Sequence, residues 1–328
     1  MLGTYVHNID PVIGCVFGIC TWWYGLSYTV GFLNAHRFIS RRRGELGIDL
    51  KSVYDLSLLL GGGVLLGGRL VEVAFYEWPF YREHSHLIPA FWLGGMASHG
   101  LLAGGLIGIW LFCRLKNKTF LRVTDTLAIP AAFILGAGRI GNFIDGQIVG
   151  SVTTAWWAVK FPDADGFRHP VVLYDGIKNL LIIPVLWYAA RQKPSTGVLT
   201  GTFLFLYAFL RIFVDILREY PTSLLGLATG QFLNILMSFL GLALIVFSFW
   251  SKRSRLAADA DGGEAQGHGD HDHQSVGVAW RRTLFGLLLL FSLTIPSDWT
   301  QDIPARYGKR HPGLAYSAIY PQIDTSTK

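Results

Sequence analysis

Charge is scarce in this chain. Only 15% of its 328 residues are Asp, Glu, Lys or Arg, while 51% are hydrophobic and the mean hydropathy is +0.38. A soluble domain carries about 25% charged residues, so this composition excludes a water-soluble globule and requires an integral membrane protein. Cysteine is scarcer still. Cys15, Cys20 and Cys113 suggest neither a disulfide framework nor a metal site. No hydrolase nucleophile elbow, Walker loop or zincin motif occurs, which argues against those three chemistries. No internal repeat is seen, although a transporter built from repeated halves predicts one.

What is present is a series of apolar runs, each near the length of about 20 residues that crosses a bilayer as a helix. They lie near residues 12–35, 53–76, 91–113, 123–140, 170–190, 197–217 and 229–250. The fold expected is an all-α integral membrane protein of about seven transmembrane helices. A short eighth is possible at residues 283–296, which either cross the bilayer or lie at its interface. The formal charge of +6 comes from basic residues clustered between the runs. Arg41 to Arg43, Arg114 to Arg122, Arg191 with Lys193, and Lys252 to Arg255 alternate with less basic segments. This positive-inside pattern places them in the cytoplasm and the N-terminus outside, and it accounts for the charge without nucleic acid. The first run is expected to act as an uncleaved insertion signal.

Three segments follow from this reading: a transmembrane catalytic domain over 1–250, a polar His/Asp/Gly-containing cytoplasmic linker over 251–282, and a short apolar run with a polar tail over 283–328. The linker contains His268, His271 and His273, whose spacing matches no defined metal site. On this reading the linker and tail are accessory, and a chain ending near residue 256 keeps its activity.

Polar residues inside apolar runs are expensive and mark function. Gly136 to Gly150 carries Arg139, Asn142, Asp145 and Gln147, with glycines that let a ligand approach and let the chain leave regular helix. Its Gly-Ala-Gly-Arg-Ile-Gly has dinucleotide-fingerprint spacing but no βαβ unit around it. Tyr207, Arg211, Asp215 and Arg218 recur along one stripe of a helix. Two arginines against one aspartate favour an anionic ligand, and arginine is the residue suited to bidentate phosphate binding. Arg69 and Glu72 form either a structural pair or part of a site. His99 sits among glycines as either a packed or a ligand-facing imidazole. Asp175 follows His169-Pro170 and needs a partner if buried.

In order, Trp23 to Tyr28, Gly67 to Leu70, Gly94 to Gly100, Gly138 to Ile144, His169 to Asp175, the Tyr207 stripe and Gly230 to Leu233 resemble the motifs of the prolipoprotein diacylglyceryl transferase family. The resemblance spans roughly residues 20–240 and implies a multi-pass enzyme of the bacterial inner membrane. Its reaction passes a diacylglyceryl group from phosphatidylglycerol to the lipobox cysteine of a prolipoprotein signal peptide. No cofactor and no metal are implied; the partners are phosphatidylglycerol, prolipoproteins and membrane lipid. The implied catalytic residues are Arg139, Arg211, His99 and Asn142. Tyr24, Arg69, Asp145, Gln147, Tyr207, Asp215 and Arg218 are the implied substrate-binding residues.

The chain departs from the pattern at Asp145-Gly146-Gln147, where the family usually reads Asn-Gly-Glu, and at Ser151, where an arginine is usual. Asp145 is therefore expected to assume the anionic role beside Arg139. The alternatives are an impaired relative that binds lipid or lipoprotein, or an anion transporter.

Overall fold

In the computed structural model, residues 5–146, 148–162, 164–218, 229–258, 274–297 and 302–323 are described. Long helices dominate: α1 (Trp23–Arg41), α2 (Leu50–Val71), α3 (Ser98–Lys116), α4 (Phe120–Ile144), α5 (Val171–Arg191), α6 (Val198–Ile216), α7 (Thr229–Ala258) and α8 (Gln274–Leu293). Among the described residues, six helices are long and apolar enough to cross a membrane. They are α2 with its π-helical extension to Tyr76, then α3, α4, α5, α6 and the Gln231–Trp250 portion of α7.

The expected first span differs. Residues 12–22 form a β-hairpin, β2 (Val12–Val16) with β3 (Ile19–Trp22), and helix begins only at Trp23. Phe17 and Gly18 turn the hairpin with φ of 51° and 79°, a conformation that stops any helix there. The antiparallel register sets Cys15 opposite Cys20, and the two form a disulfide. The expectation of no disulfide is thus corrected. A second, parallel pair joins β1 (Tyr5–Val6) to β4 (Val159–Lys160), tying the N-terminus to the loop beyond α4.

Local chemistry fixes the helix ends. Asp49 caps α2 by accepting from the Ser52 amide at 2.9 Å. Asp125 on α4 accepts from the amides of Gly197 and Thr200 at 2.6 and 2.8 Å, securing the start of α6. Helices α2 and α3 meet backbone to backbone: a Cβ on Gly67, Gly104 or Gly108 would collide with the opposing main chain. The basic connections gather at one end of the bundle, where Lys118 donates to the Gly47 carbonyl and Lys116 pairs with Asp55 at 3.0 Å.

The C-terminal segment is built into this bundle. Helix α8 runs against both α1 and α2. Thr29 donates to the Leu289 carbonyl at 3.0 Å, and Phe285 lies on the rings of His36 and Tyr54. Arg281 meets Asp55 at 2.5 Å at the basic end. α8 therefore traverses the bundle alongside α2 and delivers the tail to the opposite end. There Ile303, Tyr307, Leu314, Tyr320 and Ile323 are buried in one cluster with Val12, Cys20, Trp22, Tyr81 and Leu87.

This packing bears on the stability of a chain ending near residue 256. Loss of α8 and the tail uncovers the apolar faces of α1 and α2 and the hairpin. Burial contributes about 25 cal/mol per Å², so the truncated chain is expected to lose several degrees of melting temperature. A thermal-shift measurement in detergent checks this, and an unchanged midpoint would refute it. His268, His271 and His273 lie outside the described residues.

Candidate active site

Helix α4 continues through the glycine-rich stretch to Ile144, so the glycines there do not break the helix as expected. They bring neighbours close instead. A side chain on Gly141 would press on Tyr24 of α1, and one on Gly136 on Leu180 of α5. The chain leaves the helix only at Asp145 and Gly146, the latter with φ of 70°. Arg139 and Asn142 are thereby held on regular helix, one turn apart. Gln147 lies outside the described residues.

Arg139 donates through Nε to Oδ2 of Asp175 at 2.6 Å and through Nη1 to Oδ1 of Asn142 at 3.2 Å. Its Nη2 has no protein partner among the described residues. Asp175, on the second turn of α5, is 1% exposed. It also receives Arg211 of α6 on Oδ2, and Lys178 of its own helix lies 2.8 Å from Oδ1. Three cations from three helices thus converge on one buried carboxylate. The Lys178 ammonium donates to the Tyr207 carbonyl at 3.1 Å and sits 4.3 Å from that ring's centre.

Arg211 and Asp215 share a face of α6 as their spacing predicts, but α6 ends at Ile216, so Arg218 lies beyond the helix, bridged to Gly150. Arg211 Nε reaches Oδ1 of Asp215 at 2.9 Å, and Arg218 approaches the same oxygen at 3.8 Å. Asn234 of α7 donates to the other Asp215 oxygen at 2.9 Å. Among the described residues, the cations Arg139, Lys178, Arg211 and Arg218 are gathered around the carboxylates Asp175 and Asp215. Arg139, Asp175, Arg211 and Arg218 line a narrow cleft whose apolar walls are Ile148, Val171, Val172 and Val214. An apolar wall beside clustered guanidinium groups suits a ligand with an anionic head and a greasy body.

The other expected residues fall in different places. Tyr24 packs on α4 at Gly141, and its hydroxyl meets that of Tyr28 at 3.1 Å. His99 is exposed at the start of α3, its Nδ1 3.3 Å from the Tyr76 hydroxyl, and is not brought into contact with Asp175. Arg69 is 1% exposed and organises a loop. It donates to the carbonyls of Leu87, Ile88, Ala90 and Gly94 beneath the ring of Tyr81. Those bonds occupy Nε, Nη1 and Nη2 alike, which fits a structural part better than a ligand contact.

Asp145, expected beside Arg139, accepts instead from Ser297, beyond α8, while Asp175 holds Arg139. Near Ser151 a guanidinium is present after all: Arg168 donates to the Gly150 carbonyl at 3.1 Å. Sequence reasoning omitted Lys178 and gave Asp175 no role. Their spacing of three residues inside an apolar helix was the available signal.

A family model described as prolipoprotein diacylglyceryl transferase matches residues 11–247. Several relatives are named phosphatidylglycerol–prolipoprotein diacylglyceryl transferase. The one from Chromohalobacter salexigens is 38% identical over 255 residues, 75% of this chain and 94% of its own. The one from Aromatoleum aromaticum is 39% identical over 251 residues, 73% of this chain and 95% of its own. The one from Nitrosomonas europaea is 37% identical over 259 residues, 74% and 92% of the two chains. With long apolar helices and these matches over most of its length, the chain belongs to the prolipoprotein diacylglyceryl transferase family.

Proposed function

We propose that this chain transfers the diacylglyceryl group of phosphatidylglycerol to the lipobox cysteine of prolipoproteins at the Asp175 centre. In this reaction the cysteine sulfur attacks the glyceryl carbon that carries the phosphate. The C–O bond breaks with its electron pair passing to the phosphate oxygen, an S–C thioether forms, and glycerol phosphate leaves. The thiol proton passes to a base.

The observation that carries the reading is the convergence of Arg139, Arg211 and Lys178 on Asp175. Asp175 holds the guanidinium planes in place before substrate arrives, and Arg139 keeps Nη2 for a phosphate oxygen. Fixed donors aimed at a group that gains charge stabilise the transition state more than the ground state, and removing one such donor costs about 10²–10³ in rate. Asp215, held by Asn234, sets Arg211 and Arg218 in the same way. Asn142, Tyr24 and Tyr207 hold the glycerol and head group, and the Val171, Val172 and Val214 wall takes the start of the acyl region. The direct test supplies purified protein with phosphatidylglycerol and a lipobox peptide. A diacylglyceryl mass increase on the peptide is expected; its absence refutes the reading.

His99 is assigned the thiol proton because it is an exposed imidazole at the same end of the bundle. A free thiol ionises near pH 8.5. His99→Gln is therefore expected to slow transfer at pH 7 and to recover most of the rate above about pH 8.5, where the thiolate forms unaided. An equal loss at every pH removes the base role.

Two independent features support a placement in the bacterial inner membrane with the N-terminus outside. Basic residues gather at one end of the bundle, and the Cys15–Cys20 disulfide lies at the other. Disulfides persist in oxidising compartments, which supports an outward-facing hairpin end and N-terminus. A membrane-impermeant maleimide should label Tyr5→Cys in intact cells and Asn117→Cys only after permeabilisation; the opposite pattern inverts the topology.

A further inference from the structure

The family match ends at residue 247, before α8 and the tail. About three quarters of this chain accounts for 94% and 95% of the first two relatives, so the extension has almost nothing to align with there. Nevertheless it reaches the most motif-rich part of the molecule. α8 is held at the basic end by Arg281 on Asp55 and midway by Thr29 on the Leu289 carbonyl. Near its far end, a side chain on Gly25 would strike the carbonyls of Ser292 and Leu293, so α8 and α1 are in backbone contact there. Phe291 meets Phe91 edge to face. Beyond this anchored helix, the Ser297 hydroxyl donates to Oδ2 of Asp145.

Asp145 is the residue on which α4 ends. Its amide bonds to the Gly141 carbonyl at 3.0 Å, and its side chain is only 9% exposed. It follows Asn142 by three residues, and Asn142 takes Nη1 of Arg139. A helix end is the part most prone to fray, and glycines at 138, 141 and 146 loosen this one further. A hydrogen bond to a buried carboxylate from a segment that leaves a separately anchored helix limits that fraying.

We propose that the C-terminal extension is a working part of the active site, in which Ser297 is a positioning residue. It fixes Asp145, at the end of α4, and through it the Asn142–Arg139 pair. The proposal rests on the transferase reading above for its catalytic consequence, but not for its structural one.

The test uses the full-length chain with Ser297→Ala and Ser297→Thr, assayed with phosphatidylglycerol and a lipobox peptide, together with hydrogen exchange. In Ser297→Ala, kcat is expected to fall about tenfold while the peptide KM changes less than about twofold, since alignment of the reacting groups is lost and not binding. Amides of residues 141–146 are expected to exchange faster, and those of 280–293 to keep their protection. Ser297→Thr retains a hydroxyl and is expected to restore both readouts. An unchanged kcat in Ser297→Ala, or unchanged exchange at 141–146, overturns the proposal. So does faster exchange throughout α8, which would mean that the substitution acts by unseating the helix. If the wild type itself transfers nothing, the reaction assignment fails, and the exchange data still decide the contact.

Discussion

Asp175→Asn is expected to abolish transfer and to lower the amount of folded protein in the membrane. The carboxylate is buried and balances Arg139, Arg211 and Lys178. Breaking a buried ion pair by removing one partner costs about 3–5 kcal/mol, because the other charge stays in a low dielectric uncompensated. Here three charges lose the same partner, and two of them are the proposed phosphate donors. Stability and catalysis separate with a second change. Asp175→Asn combined with Lys178→Met removes one surplus charge and is expected to recover much of the folded protein. It does not return the carboxylate that aligns the two guanidinium groups, so transfer stays below about 1% of wild type. A single mutant within a few-fold of wild-type activity would remove Asp175 from the centre of the site.

Arg139→Ala is expected to eliminate measurable transfer while the chain still inserts, and Arg139→Lys to lose most of it. An ammonium keeps the charge, so its pairing with Asp175 survives. It lacks the planar fork that presently reaches Asp175 through Nε and Asn142 through Nη1 and leaves Nη2 over. The kinetic split is informative. A fall in kcat with little change in KM for phosphatidylglycerol places the interaction in the transition state, whereas a rise in KM alone makes Arg139 a simple binding group. Alanine activity close to that of wild type excludes it from the mechanism.

Much of this molecule was legible from its residues alone, and for local reasons. Bilayer thickness sets span length, so the apolar runs from residue 53 to residue 250 could be assigned to helices by length and composition. Helical periodicity is equally local, which is why Arg211 and Asp215 share a face of α6 as their spacing requires, although Arg218 lies past the end of that helix. The motif order that indicates the family is likewise a property of the chain.

What the sequence left undecided depends on contacts between distant segments. Hydropathy scores an apolar hairpin like the start of a helix, and only the turn at Phe17-Gly18 and the pairing across it reveal β2, β3 and the Cys15–Cys20 bond. An arginine in a span signals a need for partners without naming them. Arg69 finds four loop carbonyls, whereas Arg139 and Arg211 find a carboxylate on a third helix. The apolar run after residue 283 was compatible with more than one placement, and only the tertiary structure shows that it packs along α1 and α2. Composition and periodicity fix which residues must be buried; which buried charges meet is set by how the helices pack, because a carboxylate in a low dielectric takes the cations that the fold brings to it.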